Sequence, residues 1–137
     1  MTTIAERLSL PLGDDLALAE RIEAGLPASA ITEMRKALLF TSTSLVASLI
    51  GMSAKTAERR VAARSRLARD ESERLVRLIR IHNQAVESFE SEEHARKWLQ
   101  KPLSIFNGRT PLEMVATEPG ARAVEQALGR LEHGVFG

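Results

Sequence analysis

Residues 98–120 read WLQKPLSIFNGRTPLEMVATEPG. The stretch holds the only tryptophan, one of four phenylalanines, three of five prolines and two of eight glycines. A chain with so few aromatic residues has gathered its large anchors and its turn residues in one place. Trp98 and Leu99 close an amphipathic run, which Pro102 stops because it has no N–H to extend a helix. Phe106 offers a second ring, and Asn107-Gly108 supplies the positive φ of a tight turn. Thr110-Pro111 reads as the N-cap and first residue of a new helix, and Glu113 completes a capping box. This is a built corner between two helices, with Trp98, Phe106 and Met114 expected in the core beneath it.

Working outward, helices continue on both sides. Ser91 opens a short one, with Glu92 and Glu93 in its first turn and Lys97 in its last, as the helix dipole favours. Before it, Asp70 caps a longer helix with Glu73 as its third residue. Leu75, Leu78/Ile79, His82, Ala85/Val86 and Phe89 form its apolar stripe. After the corner, a final helix runs from about Ala121 to Glu132 with Val124, Ala127, Leu128 and Leu131 on one face. Gly134 ends it and leaves Val135-Phe136-Gly137 as an apolar tail. Toward the N-terminus, Asp14 or Asp15 caps a helix through Leu16, Ala19, Ile22 and Glu23 that stops at Gly25. Ala28 or Ser29 starts another, with Ile31, Met34, Ala37/Leu38 and Phe40 at helical spacing. The Thr-Ser cluster at 41–44 breaks the chain and supplies N-caps. The first dozen residues, interrupted by Pro11, promise partial order only. No strand-period alternation occurs, so the fold class is all-α.

Between these lies Val46 to Arg60, VASLIGMSAKTAERR. A short helix ends at Gly51, Met52 plugs the gap and Ser53 caps a second helix. Ala47 is small enough for two helices to cross closely. That is the physical recipe of a helix-turn-helix at about 45–61. Arg60 falls where an apolar residue often faces the core, and Val61 is expected to take that place.

Charge singles out the same region. Net charge is +1, but residues 53–80 carry nine basic and four acidic side chains, while 1–52 and 81–137 are each net −2. From Ser53 to Arg69, six cations face one acid, Glu58. Arg59 and Arg66 are seven apart and Arg60 and Arg64 four apart, so much of one helical face is guanidinium. Like charges so arranged repel, and phosphates would offset the cost. The DNA-binding candidates are therefore Ser53, Lys55, Thr56, Arg59 and Arg60 at bases or flanking phosphates, and Arg64, Arg66 and Arg69 at phosphates. A merely solvated cationic face is the alternative.

Other chemistry finds little support. The 137 residues contain no cysteine, which excludes disulfides and thiol catalysis and suits a reducing compartment. His82 lies on a buried stripe, His94 on a surface, and none of the three histidines has metal-ligand spacing. No glycine-rich phosphate loop, catalytic triad or cofactor site is indicated, so an enzyme is not expected. No apolar run is long enough to span a bilayer and no export signal core is present, so the expectation is a soluble cytoplasmic protein.

The pattern W-L-x-x-P-x-x-x-F-x-G-x-T-P-L-E from Trp98 to Glu113, then Gly120, Leu128-Gly129-Arg130 and His133-Gly134, resembles the C-terminal domain of Xre/MbcA/ParS-type antitoxins. Those are partners of RES-domain toxins. The resemblance extends upstream through Glu71-Ser72-Glu73-Arg74-Leu75, Ile50-Gly51-Met52-Ser53 with Thr56 and Arg59-Arg60, and Gly25-Leu26-Pro27. It implies an N-terminal Xre-like helical region, 1–69, and a C-terminal toxin-binding domain, 70–137. It further implies a homodimeric type II antitoxin that blocks an NAD-consuming RES-domain toxin and binds operator DNA to repress its own transcription. Arg130, His133, Gly134, Val135, Phe136 and Gly137 would be the toxin-binding residues, the apolar tail being suited to plugging an active-site mouth. A stand-alone helix-turn-helix regulator with a C-terminal dimerisation domain is the alternative.

Overall fold

A computed structural model of the chain describes residues 3–132; the candidate toxin contacts His133, Gly134, Val135, Phe136 and Gly137 lie outside the described residues. Among the described residues there are nine α-helices and no strand. They are α1 (Ile4–Arg7), α2 (Asp15–Ala24), α3 (Ser29–Leu38), α4 (Ser44–Leu49), α5 (Ala54–Ala62), α6 (Arg69–Phe89), α7 (Glu92–Leu99), α8 (Pro111–Met114) and α9 (Glu118–Glu132). The chain forms two compact units, one up to Ile79 and the other from Arg80 onward.

In the first unit the N-terminus is more regular than its composition suggests. The Thr3 side chain accepts from Glu6 N at 3.2 Å and starts α1, whose Ile4 and Ala5 are buried. Pro11 lies beyond that helix and interrupts nothing. Arg7 pairs with Glu33 of α3 at 3.1 Å, and Arg21 donates to the Ser9 and Leu8 carbonyls. Asp14 caps α2 by accepting from Ala17 N, but α2 buries Leu18 and leaves Leu16 72% exposed, so the inward face is not the one the spacing suggested. α3 buries Ala30, Ile31, Met34 and Leu38 and ends at Leu39 in a left-handed turn, which places Phe40 past the helix. The Thr-Ser cluster breaks the chain without capping it. Thr43, at the N-cap of α4, makes no side-chain cap bond, and its hydroxyl reaches Glu58 instead.

In the second unit, Ile81, Ala85 and Val86 of α6, Ala95 and Leu99 of α7, and Val124, Ala127 and Leu128 of α9 are buried. Ser91 caps α7 by accepting from His94 N. The corner after it forms as its residues dictate. Asn107 and Gly108 take positive φ, and Gly108 N donates to Leu103 O at 2.9 Å. Thr110 accepts from Glu113 N while Glu113 accepts from Thr110 N, both at 3.1 Å, and Pro111 opens α8. Phe106 is buried, whereas Trp98 and Met114 are only half-buried. Trp98 packs instead on Phe89, ring centroids 5.8 Å apart. α9 begins three residues earlier than its apolar face indicated, because Thr117 accepts from Gly120 N at 3.1 Å and caps it. Gly120 is thus inside the first turn, where a Cβ would overlap the Met114 carbonyl oxygen.

Candidate functional site

The helix–turn–helix is α4, the turn at 50–53 and α5. Gly51 has φ +79, a conformation that costs a side-chain-bearing residue roughly 1 kcal/mol or more, and Met52 N donates back to Ala47 O at 2.9 Å. Ala47 and Ala57 are fully buried. With only a methyl group on each, α4 and α5 can approach closely. Ser53 is extended, its hydroxyl accepting from Thr56 N at 3.1 Å and donating to the Thr56 hydroxyl at 2.9 Å. The Ser53 hydroxyl thus serves the helix start, while the Thr56 hydroxyl accepts from it; Ser53 is exposed and Thr56 half-buried.

Lys55 and Arg59, four residues apart, share the exposed face of α5 with no ion-pair partner among the described residues. The remaining cations do not continue that face, because α5 ends at Ala62. The reason is long-range. Ala28 N donates to Ser65 O at 2.9 Å and Leu67 N to Leu26 O at 2.8 Å, an antiparallel bridge at Pro27 and Arg66 that pulls the chain out of helix and buries Leu67. Arg64 takes φ +55 at the turn and is exposed. It lines a cavity of about 350 Å³ with Pro27, Ala28, Ser29, Val61 and Ser65, so half-buried Val61 borders that cavity and does not fill the core. Arg66 donates to the Gly25 carbonyl at 2.8 Å, and exposed Arg69 opens α6. The expected continuous guanidinium face is therefore absent; Lys55 and Arg59, Arg64, and Arg69 stand on three successive segments.

Arg60 is bound to the protein as well. Its Nη1 donates to the Glu71 carboxylate, whose same oxygen accepts from Ala68 N at 2.8 Å and so caps α6 from its third position. The cap anticipated from Asp70 and Glu73 is thus made two residues earlier, by Glu71 on Ala68 N. Ser72, fully buried, accepts from Leu26 N at 2.9 Å, and Arg74 lies against the end of α4, with Nη1 3.4 Å from Ile50 O. The sequence signal for Glu71 was its place three residues after Ala68, obscured because alanine offers no capping side chain.

Of the remaining candidates, Arg130 is exposed in the last turn of α9. His82 is 2% exposed and His94 is on the surface. Among the described residues there is no cluster of three or more potential metal ligands, and no helix is long and apolar enough to cross a membrane.

Two family descriptions match in tandem: the antitoxin Xre-like helix-turn-helix domain over residues 17–80 and the antitoxin Xre/MbcA/ParS C-terminal toxin-binding domain over residues 84–134. The chain is 29% identical over 112 residues to Antitoxin Xre of Photorhabdus laumondii, covering 81% of this chain and 75% of that one. It is 36% identical over 87 residues to Antitoxin Xre of Yersinia enterocolitica, covering 63% and 59%. A chain in the crystal structure of the M. tuberculosis MbcT–MbcA toxin–antitoxin complex shares the fold with a TM-score of 0.61 at 20% identity, over 80% of this chain and 96% of that one. The α4–α5 motif lies inside the first match and the capped corner at 98–120 inside the second, and the chain belongs to the Xre/MbcA/ParS antitoxin family.

Proposed function

We propose that this chain neutralises a RES-domain toxin that consumes NAD, as the antitoxin of a type II pair, and that it also represses its own operon. The observation that carries the reading is the toxin-binding domain match at 84–134, which contains the whole capped corner and all of α9. Arg130 and the tail from His133 to Gly137 would meet the toxin, the apolar end closing the active-site mouth so that NAD is excluded sterically. An apolar segment after a helical domain is suited to this, because an aromatic such as Phe136 would give a small interface its hot spot once buried by the toxin.

DNA binding rests on the exposed cations of the first unit. Lys55, Arg59, Arg64 and Arg69 would neutralise about four phosphates per chain, giving a slope of log K against log salt of roughly −3.6. Binding as a homodimer would pair two such motifs on adjacent half-sites. A toxin that consumes NAD and an operator on DNA would both put the work in the cytoplasm.

The test is intracellular NAD after inducing the adjacent reading frame, with and without this chain. NAD should fall in the first case and recover in the second. A level that never moves would leave a stand-alone regulator as the better account. With neutralisation established, Phe136→Ala should shorten the lifetime of the complex; an unchanged lifetime moves the blocking surface elsewhere.

A further inference from the structure

α5 carries two kinds of arginine side by side. Arg59 is exposed on the same face as Lys55. Arg60 lies about 100° round the helix, above Thr56, and its side chain is 30% exposed. The Glu71 carboxylate that holds it is 14% exposed and already accepts the Ala68 N–H at the start of α6. One carboxylate therefore ties the last turn of α5 to the first turn of α6, across the loop that carries Arg64 and Arg66.

We infer that Arg60 is a positioning residue: through Glu71 it fixes the pitch of the recognition helix against α6, and it does not itself contact DNA. The inference rests on the DNA-binding reading. For Arg60 to meet a phosphate, the anion would have to displace Glu71. A half-buried carboxylate would then lose its counter-charge beside an incoming negative charge. The alternative, a phosphate accepted by an arginine that is still paired, gains little, because the pair is neutral overall. Counterion release counts only cations that are not already neutralised, so Arg60 should be silent in the salt dependence while Arg59 is not. Arg74 at the Ile50 carbonyl acts in the same sense at the end of α4, so the first turns of α6 brace both helices of the motif.

The test is titration of the full chain onto a labelled duplex carrying the promoter region of its own gene, repeated over a series of salt concentrations, with helical circular dichroism as the folding control. Arg59→Gln should make the slope shallower by about 0.9. Arg60→Gln should weaken binding about tenfold and leave the slope unchanged, because geometry is lost and a phosphate contact is not. Arg60→Glu should bind worst. The exchanged pair Arg60→Glu/Glu71→Arg should recover at least about tenfold over Arg60→Glu, although it forgoes the cap on Ala68 N. If Arg60→Gln unfolds, the exchanged pair carries the test alone. A slope that falls for Arg60→Gln as it does for Arg59→Gln overturns the inference, and so does an exchanged pair no tighter than Arg60→Glu. Binding by the parent chain that is absent or indifferent to salt, with Arg59→Gln no different from the parent, overturns the DNA reading and this inference with it.

Discussion

The junction after α5 and the corner after α7 are secured by opposite means. In the first unit local caps start several helices, but around this junction the bonds join residues far apart: Leu26 N to the Ser72 hydroxyl, Arg66 to the Gly25 carbonyl, Leu67 N to Leu26 O, and Arg60 to Glu71. In the corner of the second, each bond closes within a few residues: Gly108 N to Leu103 O, the reciprocal pair at Thr110 and Glu113, and Gly120 N to the Thr117 hydroxyl. A long-range bond fails when either of two segments moves, and each segment is held by other such bonds, so damage should spread. A local cap fails alone. The corner should therefore tolerate the loss of a hydrogen bond better than the first unit does, and be intolerant only where backbones approach too closely for a side chain.

The largest effect expected is at such an approach. In Gly120→Ala the added methyl would overlap the Met114 carbonyl oxygen, which is backbone and cannot rotate aside. Separating α8 from α9 should cost about 3 kcal/mol or more, read as a lower urea midpoint in the fluorescence of Trp98, the only tryptophan. An unchanged midpoint would mean the two helices have slack. Next is Ser72→Ala, which removes the acceptor of the Leu26 N–H from a fully buried position. The stranded donor should cost about 2 kcal/mol, measured by helical circular dichroism in urea. If the Trp98 transition shifts equally, the two units unfold as one and the contrast between them is only local. Thr110→Ala should cost about 1 kcal/mol, as a single lost N-cap does. A loss as large as that from Ser72→Ala would show that the corner is as cooperative as the first unit.

The same contrast explains what was legible in the chain. The corner could be read because Asn107-Gly108, Thr110, Pro111 and Glu113 act on their immediate neighbours, and Ser53 and Ser91 cap their helices for the same reason. The end of α5 could not. Nothing at Ala63 or Arg64 breaks a helix, and the decision is made by residues 26–28, some forty positions earlier, so spacing along α5 alone does not reveal where the chain turns away. Lys55 and Arg59 were identifiable as an outward face, since that needs only the period of α5 itself. The commitment of Arg60 to Glu71 depends on how two helices meet across a loop, which periodicity does not specify. Gly120 was recognised as a motif residue, yet for a turn; its position in the first turn of α9 follows from the Thr117 cap and the nearness of Met114.

The smallest effect expected has the opposite sign. Gly129 lies in the same helix as Gly120, but among the described residues a Cβ there would meet no atom within 4 Å outside the nearby helix backbone, and its φ is not positive. Gly129→Ala should therefore stabilise the free chain by about 0.5–1 kcal/mol, since alanine has less backbone freedom to lose and the site needs no adjustment. Raised thermal stability is the expected reading, set against the collapse expected of Gly120→Ala nine residues earlier. Destabilisation would show that the face bearing Gly129 is covered in solution. The more telling result is a variant that melts higher yet captures the toxin more weakly. It would mean that Gly129 is small for the sake of the partner, whereas Gly120 is small for the sake of the fold.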